Sequence, residues 1–189
     1  MPYWINLLFI IQIAIVYVYA SVAKFYPDWL DGTFTRNLLV DSTQISALKK
    51  LFLQKWFYLF IAYMGIIFDL LIVPLLLFKR TRIIALIASL TFHIFNAIFL
   101  EIGIFPFFAL TFALFFYEPE TIRRIFLKKK PSVENENVNQ NFYGKRIVYF
   151  LMIPYLVIQL LLPLRHHFIE GDVLWTEEGH RLSWRMMLR

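Results

Sequence analysis

The chain reads as an all-α integral membrane protein, a polytopic bundle of about five transmembrane helices. Three observations predict this. Of its 189 residues 60% are hydrophobic and only 17% charged, against about 45–50% and about 25% in soluble domains. Phe alone supplies 21 residues and mean hydropathy is +0.63, which excludes a disordered chain. The apolar residues also fall into runs near the roughly 20 residues that a helical span needs.

Taken in order, Tyr3–Ala20 is apolar apart from Asn6 and Gln12. Ser21-Val22-Ala23 resembles a signal-peptide cleavage site. However, no Lys or Arg precedes the run and it exceeds the usual 7–15 residue core, so a retained span is expected. Trp56–Phe78 is interrupted only by Gly65, Asp69 and Pro74. Ile83–Leu100 carries His93 and Asn96, Ile102–Tyr117 is short and contains Pro106, and Ile147–Leu164 holds Pro154 and Gln159. The polar stretch 118–146, with Pro131 and an Asn-rich run, reads as an exposed loop.

Loop charge orients the bundle. Lys79, Arg80 and Arg82 crowd one short connection, and Arg123, Arg124, Lys128–Lys130, Lys145 and Arg146 lie on the same side. The positive-inside rule makes that side cytoplasmic. Residues 1–189 are then one transmembrane domain, with 118–146 a cytoplasmic polar loop and 165–189 an exterior tail leading into a further domain. Ser21–Lys55, the Glu101 turn and the tail share the exterior face, where the suspicious polar residues converge. The net charge of +6 follows topology and gives no aromatic-interleaved basic surface, so no nucleic-acid partner is expected. With Cys absent, disulfides, thiolate metal sites and Cys nucleophiles are excluded within the chain. Neither HExxH nor comparable spacing points to a metal.

Four stretches, in order, resemble the vitamin K-dependent gamma-glutamyl carboxylase family. Val22-Ala23-Lys24-Phe25-Tyr26-Pro27-Asp28-Trp29 is similar to its Lys–x–x–x–Asp–Trp signature after a span. Phe68-Asp69-Leu70 with Leu75-Leu76-Leu77-Phe78 resembles its Asp-bearing span. Phe92-His93-Ile94-Phe95-Asn96 with Ile102-Gly103-Ile104-Phe105 resembles its His–x–x–Asn helix and following turn. Leu162-Pro163-Leu164-Arg165-His166, then Trp175-Thr176-Glu177-Glu178-Gly179 and Ser183-Trp184-Arg185-Met186-Met187, resembles its exit from the last span.

The resemblance implies a membrane enzyme that oxidises reduced vitamin K, or a related menaquinol, with O2 to the epoxide. The base so generated removes a proton from a Glu γ-carbon in a protein or peptide, and CO2 adds. It implies Lys24 as catalytic base, His93, Asn96 and His166 as quinone-binding residues, and Trp175, Ser183 and Trp184 as substrate-binding residues. No metal is implied. The location implied is a multi-pass protein of a bacterial-type inner or plasma membrane, its active side facing the exterior, periplasm or lumen. Family members also carry a catalytic His before the first of these spans and a large domain after the Ser–Trp motif. The chain is therefore expected to be a middle piece of a longer enzyme or a truncated product. Gly179, His180 and Arg181 depart from the animal pattern, leaving the substrate open.

Each residue has a bland alternative. Lys24 follows an apolar span, where snorkelling to the interface is common. A base for a hydroquinone must be neutral, and ordinary exposed lysines are mostly charged, although burial penalises an ammonium. His93 and Asn96, three apart on one helix, face one way; they serve either a site or interhelical hydrogen bonding. Asp69 is costly within a span unless paired and is expected to be a structural partner for another bundle polar group. His166 and His167 are adjacent and expected to diverge, Arg165 to anchor the helix end, and the Trp residues to anchor at the interface. The competing function is a non-catalytic or degenerate membrane scaffold or transport fragment on the same bundle.

Overall fold

A computed structural model describes residues 3–100, 103–126, 142–171 and 182–184. Every regular element among them is helical. Helix α1 (Tyr3–Ala23) is followed by three short helices, α2 (Pro27–Leu30), α3 (Thr33–Asp41) and α4 (Ser46–Phe52). Two long helices come next, α5 (Lys55–Leu77) and α6 (Arg82–Phe99). Helix α7 (Phe105–Phe112) runs on as a 3-10 turn (Ala113–Phe116), and α8 (Pro119–Phe126) follows it. Helix α9 (Phe142–Leu161) ends in a 3-10 segment (Leu162–Phe168).

Four of these, Trp4–Ala23, Lys55–Leu77, Arg82–Phe99 and Val148–Phe168, are long and apolar enough to cross a bilayer. The fifth expected span differs. Phe105–Phe116 is helical over twelve residues, about 20 Å at the rises of α- and 3-10 helices, short of the roughly 30 Å core. The neighbours explain its length. Phe105 packs at the level of His93 (ring centroids 6.4 Å) rather than beside the end of α6. Twelve residues later Tyr117 lies under Arg82, and Glu118 meets Lys79. The segment thus starts about two turns inside α6 and returns to its beginning.

Lipid as solvent explains the distribution of side chains. Apolar residues are exposed along the outer faces, as at Ile84, Ile87, Leu70, Phe150 and Leu151, while the interior holds the buried polar groups Ser21, Lys24, Asp69, Ser89, His93 and Asn96. The inner apolar core (Ile13, Tyr17, Phe68, Ile72, Leu76, Phe116) joins α1 and α5 to the 3-10 turn. Gln159 bonds Gln12 at 3.2 Å, fixing α9 against α1 as interhelical polar contacts do.

The short helices form a cap over one end of this bundle. Phe52 of α4 stacks on Phe57 of α5 and meets Phe99 of α6 edge-on. Trp29 of α2 is 3% exposed and donates through Nε1 to the Ala62 carbonyl at 3.0 Å. Gly32 lets the chain turn between α2 and α3. Its φ is +79°, and a Cβ there would lie 2.5 Å from the Tyr58 ring, so a side chain is excluded twice over.

Candidate functional site beneath the cap

Lys24 lies one residue beyond α1, where an unaided amine would reach for the interface. Its residue is instead 2% exposed. The side chain folds back into the bundle, pairs with Asp69 of α5, and reaches the Ala20 carbonyl at 3.4 Å. Trp29 closes over it, with the ammonium 5.4 Å from the indole centre. The snorkelling alternative therefore fails, because Trp29 of α2 lies over the amine and Thr35 of α3 lines the same cavity. Asp69 has the expected partner, and that partner is Lys24 itself. Charges so far from water persist only when paired.

Around this pair lies a cavity of about 20 Å³ lined by Lys24, Trp29, Thr35, Gly65, Phe92 and Asn96. Asn96 thus shares it with Lys24, while His93, one turn earlier, faces elsewhere in the interior. His93 Nε2 is 3.2 Å from the Tyr17 hydroxyl, and the imidazole packs edge-on against Phe68 and Phe92. Its Nδ1 is buried with no hydrogen-bond partner among the described residues, and so is Thr35 Oγ1. Tyr17, Thr35 and Trp29 were not singled out by the sequence. An aromatic or Thr in an apolar or mixed stretch has no signal of its own, and only Trp29 falls within a quoted motif.

The remaining sequence candidates stand apart. His166 belongs to the 3-10 segment after α9 and contacts its own Pro163 carbonyl at 2.7 Å through Nδ1; it does not line the Lys24 cavity. His166 and His167 do not diverge as expected, since their ring centroids are 3.9 Å apart. Ser183 is buried and Trp184 half-buried, with φ of +55° at Trp184 and +62° at Leu182. Trp175 and Glu101 lie outside the described residues, as does most of the loop after α8. Among the described residues no cluster of three or more His, Asp or Glu is placed to hold a metal ion.

A helical membrane bundle with a buried, capped Lys–Asp pair defines the class of protein. Residues 1–120 match the HTTM domain, and residues 144–189 match the lumenal domain of vitamin K-dependent gamma-carboxylase. The chain belongs to the HTTM-domain, vitamin K-dependent gamma-carboxylase family. No solved structure matches it.

Proposed function

We propose that this bundle is the catalytic membrane domain of a gamma-carboxylase-type enzyme that couples oxidation of a reduced quinone to carboxylation of protein glutamate. The observation that carries the reading is the sequestered Lys24 amine. A lysine at a helix end is buried, paired, roofed by Trp29 and placed on the same cavity as Asn96.

The donor chemistry suits a hydroquinone, with an amine and an amide among aromatic faces. The cavity takes about one water in this conformation, so a bicyclic ring enters only as Phe92, Trp29 or their neighbours move aside. A bound reduced vitamin K or menaquinol, with O2, would supply the strong base that the carboxylation step requires, and CO2 the added carbon. The chain's own contribution is proton handling. The Lys24–Asp69 unit is neutral overall whichever partner holds the proton. Transfer from Nζ to Oδ2 therefore yields a free amine without leaving an isolated charge in the bundle, and that amine can accept a hydroxyl proton. Asn96 would orient a polar oxygen beside it. His93, held by Tyr17, would support the same wall, His166 would contact the quinone outside this cavity, and Trp175, Ser183 and Trp184 would bind the glutamyl substrate. Lys79–Arg82 would face the cytoplasm, and the capped end the exterior or lumen; the lumenal-domain match of 144–189 supports that orientation.

The test is vitamin K epoxide formation by the full-length protein. Lys24→Ala, assayed per folded molecule because it leaves Asp69 without its partner, should abolish it, with partial rescue by a small exogenous amine. Arg should fail at this position because it keeps its proton. Near-parental epoxide formation by Lys24→Ala would refute the assignment. One observation favours the scaffold reading, namely that Asp69 and Ala20 already engage the amine. A parent that makes no epoxide with these residues intact would establish it.

A further inference from the structure

The opposite end of the bundle contains a larger cavity, of about 220 Å³, that the reaction above does not use. Its inner wall is apolar, with Ile10, Leu77 and Phe116, and its rim carries Asn6, Arg82 and Tyr117. Arg82 is fixed there by the end of α5. Its Nε donates to the Leu76 carbonyl at 2.9 Å and a terminal nitrogen to the Leu77 carbonyl at 3.3 Å, while the guanidinium lies 5.3 Å from the centre of the Tyr117 ring. Tyr117 lines the same cavity, and its hydroxyl is buried without a hydrogen-bond partner among the described residues. Glu118, the acid on the rim, is neutralised by Lys79 at 2.7 Å.

The surroundings are basic and amphipathic. Segments 79–82 and 118–126 together carry five Lys or Arg (Lys79, Arg80, Arg82, Arg123, Arg124) against two Glu (Glu118, Glu120). Helix α8 exposes Ile125 and Phe126 beside Arg124, the composition of a helix lying in the headgroup plane. An apolar wall beneath a cationic rim, at membrane-interface level, matches an amphiphile with an anionic head.

We propose that this cavity holds the phosphate headgroup of an anionic phospholipid, with Arg82 and Tyr117 as its donors and the acyl chains running down the apolar wall. Arg82 supplies a pre-positioned charge, and the Tyr117 hydroxyl gains the acceptor that the described residues do not provide. Arg80 and Arg124 add attraction at longer range. The site is independent of the carboxylase reading and needs no activity to detect.

The full chain would be reconstituted into vesicles of equimolar phosphatidylglycerol and phosphatidylcholine and extracted in mild detergent, and its retained lipid quantified by mass spectrometry. Phosphatidylglycerol should be enriched roughly five-fold or more over phosphatidylcholine, the scale of one interfacial basic residue. Arg82→Gln should reduce the enrichment by about that factor. Because Arg82 also caps α5, Tyr117→Phe provides the second variant. It removes one oxygen, keeps the ring, and should lower the enrichment about two-fold or more. Retention at the bulk lipid ratio in the parent, or enrichment unchanged by Tyr117→Phe, overturns the proposal. So does displacement of the bound lipid by inorganic phosphate alone, which marks a site for the free anion.

Discussion

Replacing Asp69 by Leu strands the Lys24 ammonium in the bundle. Side-chain exposures of 2% and 6% leave almost no solvent to screen the loss, and among the described residues the amine's other acceptor is the Ala20 carbonyl at 3.4 Å. Removing one member of such a pair costs about 3–5 kcal/mol, or roughly two to three and a half decades in the folded-to-unfolded ratio. Replacing both members by apolar groups of similar volume is often neutral or stabilising, so Lys24→Met/Asp69→Leu should recover most of the loss. The assay is reversible unfolding in mixed micelles, followed by Trp fluorescence for the parent, both single variants and the double variant. An Asp69→Leu change below about 0.5 kcal/mol, or a double variant as unstable as the worse single one, would refute the reasoning. Either result would mean that the two charges are not mutually dependent.

Further outcomes follow from other contacts. Gly32→Ala should destabilise the cap by about 1–3 kcal/mol, since its backbone is left-handed and the new methyl meets the Tyr58 ring; unchanged unfolding would contradict this. Tyr17→Phe removes the hydrogen bond of His93 Nε2 and should cost about 1–3 kcal/mol for a buried polar group left unpaired. Wild-type stability in that variant would show that water or another group satisfies the imidazole. The Lys79 ammonium holds the Glu118 carboxyl below its ordinary value of 4.5. The pair's contribution is therefore present above that value and fades as pH falls through the lowered one. It is solvent-exposed and small, and Glu118→Gln should remove this acid-limb dependence from the pH–stability profile; an identical profile would contradict it. Single cysteines can be introduced into the Cys-free chain at Ser42 and Glu118. An impermeant maleimide added outside intact cells should label Ser42→Cys but not Glu118→Cys, and the reverse pattern would invert the orientation.

The long helices were legible because a bilayer demands continuous apolar length, and α1, α5, α6 and α9 all show it. Helix α7 was harder. Its apolar run looked like a full span, and only its start at the level of His93 shortens it. Within the site, Lys24, Asp69, His93 and Asn96 stood out because ionisable and amide groups are rare in apolar runs. Their pairing was not legible, since nothing in one sequence says that Lys24 turns inward to meet Asp69. That depends on the cap, whose helices α2–α4 come from a mixed-polarity stretch without a clear period. Tyr17 passed unnoticed among the aromatics of α1, although it holds His93. The close, tilted approach of the His166 and His167 rings escaped because adjacent positions on a helix point apart.

The proposed role of Lys24 is that of a base and not only of half a structural ion pair. The most direct test is vitamin K epoxide formation by the full-length Lys24→Met/Asp69→Leu protein, which should retain the fold because no buried charge is left unpaired. Parental stability with no epoxide is the expected result. Epoxide formed at near the parental rate by that folded double variant would contradict it.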